Sequence, residues 1–320
     1  MTARALLLAA AITVGLVPRA LAEYPERTVK IIVPTAPGGS IDTTARVVAN
    51  KLSEYWGRPV IVENRPGAAM ITGADAAAKS AADGYTLLVA HDGTMAMNPV
   101  VYPSLPYNPQ RDFVPLALMT AIPEVIMVHE SVPATSLPEL IALARQSPGK
   151  LDHVSGGTAT LLALELFKAM AGVDIKSIPY RGGAPAVTGV IAGETQVCIA
   201  DIATAHAGIA SSHVKVLAVT SAQRAKTLPD IPTAAESGVP GYDVSTWIGA
   251  FAPAGTPRQI AAKIEADIAR ALAEPDVRRR LETLGMAIRG GTGEDMRKVL
   301  AADIERWSRL VKEKDIKIAQ

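Results

Sequence analysis

Residues 29–52, VKIIVPTAPGGSIDTTARVVANKL, join a strand, a glycine turn and a helix in one short stretch. The β-branched run at 29–33 predicts a buried strand, and the prolines and glycines after it predict a turn. A helix is predicted next, with Ser40 placed to cap it. The apolar residues of this helix recur every three to four positions, at Ile41, Ala45, Val48 and Leu52. The stretch therefore predicts a strand–turn–helix unit of an α/β fold.

The turn between this strand and helix is the first candidate site. The first N–H groups of a helix have no partner within the helix, and the helix dipole makes that end positive. Such an end binds a carboxylate or phosphate without a charged side chain. Gly38 and Gly39 are therefore predicted to contact an anion, although they could serve only a tight turn. Asp42, in the first helical turn, could stabilise the helix dipole or contact the ligand.

The first 22 residues have the pattern of a secretory signal peptide. Arg4 supplies the positive start, residues 5–17 the apolar core, and Ala20-Leu21-Ala22 a cleavage site. A membrane anchor is the alternative, but this apolar run is shorter than the roughly 20 residues that a span needs. The sequence predicts export to the periplasm, with cleavage after Ala22.

The composition argues against several classes of protein. Removal of residues 1–22 leaves 30 basic and 31 acidic side chains, which gives no electrostatic attraction to nucleic acid or to an anionic membrane. The single cysteine, Cys198, excludes an intramolecular disulfide and lies in an apolar run that predicts a buried thiol. The five histidines form no metal-ligand motif, and no nucleotide-binding glycine signature occurs. Neither a metal nor a cofactor is expected.

Short apolar runs alternate with amphipathic stretches along most of the chain, which predicts α/β units with mainly parallel sheets. Two further glycine turns precede predicted helices in the middle of the chain, Ser155-Gly156-Gly157-Thr158 and Arg181-Gly182-Gly183-Ala184. Helix ends of this kind could face each other across a cleft and hold opposite sides of one small ligand.

The length predicts two domains of about 150 residues each. Turn signals near 119–125 and 228–241 suggest that the chain crosses between these domains twice. Residues 23–122 and 245–320 would then form the first lobe, and residues 123–244 the second.

Short motifs follow one another in a set order along the chain. They are Pro34-Thr35-Ala36-Pro37-Gly38-Gly39 with Asp42, Glu63-Asn64-Arg65-Pro66-Gly67-Ala68, Asp83-Gly84-Tyr85-Thr86-Leu87-Leu88, Gly93-Thr94 with Asn98-Pro99, Leu105-Pro106-Tyr107, Gly157-Thr158, Glu165-Leu166-Phe167, Pro179-Tyr180-Arg181-Gly182-Gly183 with Pro185-Ala186, and Pro232-Thr233. This order resembles the solute receptors of tripartite tricarboxylate transporters, also called the Bug family. The match covers nearly the whole predicted mature chain.

The resemblance implies an α/β periplasmic binding protein of the type II-like, Venus-flytrap architecture, and no enzyme activity. Its two lobes would close on a small organic mono- or dicarboxylate, and the receptor, a monomer, would deliver this solute to membrane permease subunits. In the family, the ligand carboxylate is held by backbone groups and ordered water at the loops that open the first helix of each lobe. Carried onto this chain, the implied ligand-binding residues are Ala36, Pro37, Gly38, Gly39, Asp42, Gly93, Thr94, Gly156, Gly157, Thr158, Arg181, Gly182, Gly183, Ala184 and Asp201.

Some positions have alternative roles. Arg181 could bind an anion or be solvated beside its turn, and Asp201 could face the site or cap a helix at Ala203. Trp247 could pack at a hinge or stack on an unsaturated ligand. Many family members have a histidine where this chain has Leu161, and this departure favours a less polar ligand.

Two other functions stay open at this point. A closed receptor could dock on a membrane sensor kinase instead of a permease. A secreted hydrolase could use Ser155 and His153, although these residues crowd into 152–155 and a catalytic triad joins separate segments. The sequence does not choose between aliphatic, aromatic and amino acids as ligands.

Overall fold

The computed structural model describes residues 24–316, so the predicted signal peptide at 1–22 lies outside the described residues. The strands are β1 (Val29–Val33), β2 (Val60–Asn64), β3 (Thr86–His91), β4 (Phe113–His129), β5 (Asp152–Ser155), β6 (Lys176–Pro179), β7 (Val197–Asp201), β8 (Val214–Val219), β9 (Ser245–Pro253) and β10 (Ala287–Thr292). The helices are α1 (Ser40–Trp56), α2 (Ile71–Ala78), α3 (Asn98–Val101), α4 (Leu137–Gln146), α5 (Thr158–Ala171), α6 (Gly183–Ile191), α7 (His206–Ile209), α8 (Arg258–Ala273), α9 (Pro275–Thr283) and α10 (Gly293–Glu313).

The strands form two groups that share β4. In the first group, β2, β1 and β3 are parallel neighbours, and β9 pairs antiparallel with both β3 and β4. In the second group, β6, β5 and β7 are parallel neighbours, and β7 and β8 pair antiparallel with the end of β4. We call the parts of the protein built on these groups the first and second lobes.

The predicted α/β fold with two lobes is confirmed by this arrangement. Parallel pairing is right for β1 to β3 and for β5 to β7, but the strands next to the junction, including β10 on β4, are antiparallel. The sequence pattern missed this because β4 unites two predicted runs on either side of Pro123. Proline has no N–H to donate, and it stands where β4 leaves β9 and joins β7.

Parallel pairing brings the carboxyl ends of β1 and β3 to one edge of the first lobe, and those of β5, β6 and β7 to one edge of the second. The helices that follow β1, β5 and β6 all begin at these edges, directly after glycine turns. In an open α/β sheet, ligands bind at this edge. The fold therefore places the three glycine turns at the same end of their sheets.

The C-terminal helix α10 packs against both lobes. Met296 and Leu300 belong to a buried apolar cluster with Phe251 and Leu88 of the first lobe. Trp307 instead lies in a cluster with second-lobe residues of β4, α4, α5 and β7. The boundaries at 122/123 and 244/245 stay a prediction, and α10 adds a further connection between the lobes. Within residues 24–316, no helix is both long and apolar enough to cross a membrane.

Trp307→Ala is expected to lower the free energy of unfolding by about 3–5 kcal/mol, because it leaves a cavity where a fully buried indole packs between the lobes. Arg309→Ala, at an exposed position of the same helix, is the control and should change that free energy by less than about 0.5 kcal/mol. Urea denaturation of both variants measures the difference. Equal stabilities would show that α10 does not contribute to the core.

Candidate functional site

A cavity of about 40 Å³ lies where the glycine turns of the two lobes meet. Seven residues predicted from the sequence line it: Ala36, Gly39, Gly156, Gly157, Gly183, Ala184 and Asp201. Residues that the sequence analysis did not name as ligand contacts complete the lining: Thr35, Ser40, Ile41, Met70, His91, Glu124, Ala159, Thr160, Ala200, Thr204 and Thr246. The structure thus brings residues of both lobes together around one cavity.

The other predicted ligand contacts lie close to this cavity without lining it: Pro37, Gly38, Asp42, Gly93, Thr94, Thr158, Arg181 and Gly182. Several of them hold the loops together. Thr158 Oγ1 donates a hydrogen bond to Asn98 Oδ1, which joins α5 of the second lobe to α3 of the first. Arg181 is exposed and lies with Gly182 on a neighbouring groove. Direct ligand contacts from these eight residues stay a prediction.

The loop before α1 is fixed by Asp42. Gly38 has φ +96°, and its N–H donates to Asp42 Oδ2 at 3.0 Å. Burial opposes ionisation of Asp42, but hydrogen bonds from Arg46, Gly38 and Asn64 hold the pKa of this carboxyl below its usual range. Asp42 is therefore a charged group that fixes the loop through Gly38 without lining the cavity itself.

Ser40 does not cap α1, so that prediction is wrong. The N-cap is Gly39, and no side chain caps this end. Ser40 instead bonds across the lobe interface: its N–H donates to Thr204 Oγ1 at 2.9 Å, and its hydroxyl donates to Asp201 Oδ2 at 2.8 Å. The cap prediction failed because this serine has partners in the other lobe.

The two second-lobe turns touch through their backbones. A Cβ atom on Gly156 would lie 2.7 Å from both the N and Cα atoms of Gly183, so no other residue fits without moving a turn. The N–H of Gly156 donates to Thr160 Oγ1 at 3.0 Å, which folds the first turn onto α5. Thr160 lines the cavity, whereas its neighbour Leu161 does not. The starts of α5 and α6 therefore lie side by side.

Asp201 both lines the cavity and organises the turn after β7. Its Oδ1 accepts from the N–H of Thr204 at 2.9 Å, and its Oδ2 accepts from Thr204 Oγ1 at 2.7 Å as well as from Ser40. Burial raises the pKa of Asp201, and these hydrogen bonds partly oppose the shift. Asp201 thus lines the site, whereas the predicted cap of a helix at Ala203 is wrong: residues 202–205 form a turn, and α7 begins only at His206, without a side-chain cap.

His91, rather than Gly93 or Thr94, reaches the cavity from β3. Its Nδ1 accepts from the N–H of Thr94 at 3.3 Å, and Thr94 Oγ1 contacts Met70 Sδ. Burial lowers the pKa of His91 to about 4, so the ring is neutral at pH 7.

Glu124 is the main site residue that the sequence analysis missed. It lies on β4 directly after Pro123 and is 1% exposed. Oε1 accepts from Thr246 Oγ1 of β9 at 3.0 Å, while Oε2 is buried without a hydrogen-bond partner among the described residues. Burial, with a smaller contribution from Asp201, raises the pKa of Glu124 to about 7. The available signal was a single acid inside the apolar run 116–128.

Two other sequence hypotheses concerned Trp247 and a serine–histidine pair. Trp247 is buried, does not line the cavity and donates from Nε1 to Asp303, which supports a packing role. His153 is fully buried, and its Nε2 accepts from the N–H of Ile199 at 3.2 Å. Ser155 Oγ instead donates to the carbonyl of Gly157. This structure shows no hydrogen bond between Ser155 and His153 that would activate a nucleophile.

The cavity contains acidic side chains but no basic ones. Its ionisable lining residues are His91, Glu124 and Asp201, and neither lysine nor arginine lines it. Among residues 24–316, no group of three or more His, Cys, Asp or Glu side chains is arranged to hold a metal ion. Positive potential in the cavity therefore comes from the starts of the helices and not from side chains.

Glu124→Gln should change how stability depends on pH. Because the pKa of Glu124 is about 7 in the folded protein and 4.5 in the reference state, folding favours the protonated acid, and its contribution to stability falls as the pH rises from 4.5 to 7. The difference corresponds to roughly 3 kcal/mol. Urea titrations of the ligand-free proteins measure this effect. Between pH 4.5 and 7 the free energy of unfolding of the wild type should fall by roughly 3 kcal/mol more than that of Glu124→Gln. Parallel pH profiles would contradict the assignment.

Comparisons with known proteins show which family the chain resembles. The family model described as "Tripartite tricarboxylate transporter family receptor" matches residues 44–316. Protein BugT of Bordetella pertussis is 35% identical over 298 residues, which are 92% of this chain and 91% of BugT.

Two solved structures are similar over nearly their whole length. Rpa4515 of R. palustris, determined with adipate, has a TM-score of 0.89 and 35% identity and covers 92% of this chain and 99% of its own. MatC of Rhodopseudomonas palustris, with bound malate, has a TM-score of 0.87 and 32% identity. The match covers 90% of this chain and 100% of MatC. The resemblance seen in the sequence motifs is therefore confirmed, and the chain belongs to the tripartite tricarboxylate transporter receptor family, whose members are periplasmic solute-binding proteins.

Proposed function

We propose that this protein captures a small organic carboxylate between its lobes and delivers it to the membrane permease of a tripartite transporter. The single observation that carries the proposal is the convergence of α1, α5 and α6, whose N-terminal ends meet at one cavity. Membership of the family is established above. That this chain binds an acid and delivers it to a permease is the proposal.

The helix starts provide the chemistry for binding a carboxylate. Each of these helices has at least nine residues and leaves its first N–H groups without intrahelical partners. Their dipoles add positive potential at the same point, although no cationic side chain is present. The adipate and malate held by the two related proteins are both dicarboxylates, which supports an acid as the ligand here.

Closure of the lobes on the ligand is the expected response. Hydrogen bonds between the lobes already join Ser40 to Asp201 and Thr158 to Asn98 around the cavity. A ligand that contacts both lobes binds the closed form better than the open form and so shifts the population towards it. Such a change could present a different surface to the permease in each state.

The location and the assembly follow the same proposal. The signal-peptide pattern favours export with cleavage after Ala22, and periplasmic receptors of this family support that location. We propose that the mature receptor acts as a monomer, without enzyme activity, metal or cofactor. Its partners would then be the solute and the permease subunits, as the family description indicates.

Ala184→Asp tests the binding site directly. Ala184 lines the cavity in the first turn of α6, where an aspartate is compatible with the helix dipole and should leave the fold intact. The new carboxylate would occupy the positive end and repel a bound acid, so we expect at least a tenfold loss of affinity by calorimetry.

Ala192→Asp, at the exposed opposite end of α6, is the matched control and should bind like the wild type.

The wild type, stripped of copurified ligand, is first screened by thermal shift with mono- and dicarboxylic acids. At 100 times Kd, binding adds about 2.7 kcal/mol of stability, which is a shift of several degrees. No shift with any acid, or equal affinity in Ala184→Asp, would overturn the proposed function.

A further inference from the structure

Glu124 is the one acid of the cavity lining with an oxygen that accepts no hydrogen bond from the described residues. Oε1 is bound by the Thr246 hydroxyl, whereas Oε2 is buried without a partner among the described residues. The neighbouring acid, Asp201, already accepts hydrogen bonds at both of its oxygens. Burying an unpaired carboxylate is strongly unfavourable, so an ionised Glu124 requires a donor from outside the protein.

The position of Glu124 is rigid. Its backbone N–H donates to Thr220 Oγ1 at 3.0 Å, and the same hydroxyl donates to the carbonyl of Val244 at 2.7 Å. Glu124 is therefore held where β4 and the chain leading into β9 pass between the lobes. A ligand in the cavity meets this carboxyl group at a fixed place.

We infer that Glu124 accepts a hydrogen bond from an ammonium group of the ligand, so that the receptor selects small acids that also carry an ammonium group. This inference rests on the proposed function, because the helix starts are needed to hold the carboxylate of the same ligand. Glu124 is then a specificity residue. The helix starts bind the carboxylate of the ligand, and Glu124 binds its ammonium group.

The charges around the cavity favour an ammonium group over a second carboxylate. The acids Glu124 and Asp201 both line the cavity, His91 is neutral there, and no basic side chain balances them. Like charges at close range disfavour each other, whereas a cation attracts both acids.

Binding of such a ligand should depend on pH through Glu124. The groups that interact electrostatically with it are Asp201 and Cys198 of β7, Asp92 after β3 and Tyr242 before β9, and His91 shares the cavity. Burial raises the pKa of Cys198 and Tyr242 further from neutrality, so both stay uncharged. Affinity for an ammonium compound should rise between pH 6 and 8, as Glu124 becomes ionised, and then level off.

The experiment compares acids that differ only in their amino group. Calorimetry at pH 8 would use propionate with alanine and β-alanine, butyrate with 4-aminobutyrate, and succinate with aspartate, on wild type, Glu124→Gln and Glu130→Gln. Glu130 is an exposed acid directly after the C-terminal end of β4 and gives a matched control. Loss of a hydrogen bond to a charged group corresponds to about a tenfold to hundredfold change in affinity.

We expect an amino acid to bind tightest, to lose about tenfold to hundredfold affinity in Glu124→Gln, and to be unaffected in Glu130→Gln. The rise in affinity between pH 6 and 8 should disappear in Glu124→Gln. The inference is overturned if the unsubstituted acids bind as well as the amino acids, or if Glu124→Gln binds amino acids like the wild type. In either case binding of the acids would leave the proposed function standing, whereas failure of every acid and amino acid to bind would remove both.

Discussion

The close approach of two backbone turns is the constraint on which the site depends. Gly156 and Gly183 lie so near each other that a single added methyl group would come within 2.7 Å of the facing backbone. Gly157, with φ +155°, is also in a region that favours glycine, and a Cβ there would meet Met70 Cε. Because side chains are absent here, the starts of α5 and α6 lie together instead of being separated by a layer of atoms. The first-lobe turn can then complete the cavity, because Ser40 donates hydrogen bonds to Asp201 and Thr204 of the second lobe.

This construction explains how an acid can be bound beside other acids. Arginine or lysine in the cavity would neutralise Glu124 and Asp201 and would make a salt bridge between protein groups instead of leaving them for a ligand. Helix starts provide positive potential without a mobile counter-charge, and they act within about one turn of the helix end. Asp201 lies at the start of α1, where Ser40 donates to it, whereas Glu124 lies on β4 and has no such donor from a helix start.

The parts of the site that the sequence predicted are those determined by local chemistry. Glycine turns before amphipathic helices identify Gly39, Gly156 and Gly183 because turn geometry depends on neighbouring residues. Glu124 could not be found in this way, since the face on which it lies depends on how β4 pairs with β9 up to Pro123 and with β7 from Glu124 onwards. The pairing with β9 contains register shifts near Pro115 and Leu118, and each shift changes which side chains point inward.

The error at Ser40 has a similar origin. A serine directly after a glycine turn matches the pattern of an N-cap, but the pattern contains no information about the second lobe. In the structure the hydroxyl finds an acceptor in Asp201, which is 161 positions away along the chain. Contacts of this length are set by how the lobes meet, so local patterns identify the loops of a two-lobed receptor better than they identify the partners of each side chain.

The location of Glu124 connects ligand selection to movement of the lobes. It follows Pro123 on a strand that both lobes share, and Thr220 fastens it to the chain that returns through Val244. An ammonium group bound there would remove the free-energy cost of an unpaired buried carboxylate in the closed arrangement. A plain acid would fill the helix starts but leave that cost in place, and so would stabilise closure less. Discrimination between the two ligands would then arise at the junction of the lobes, where a small difference in closure affects the whole cleft.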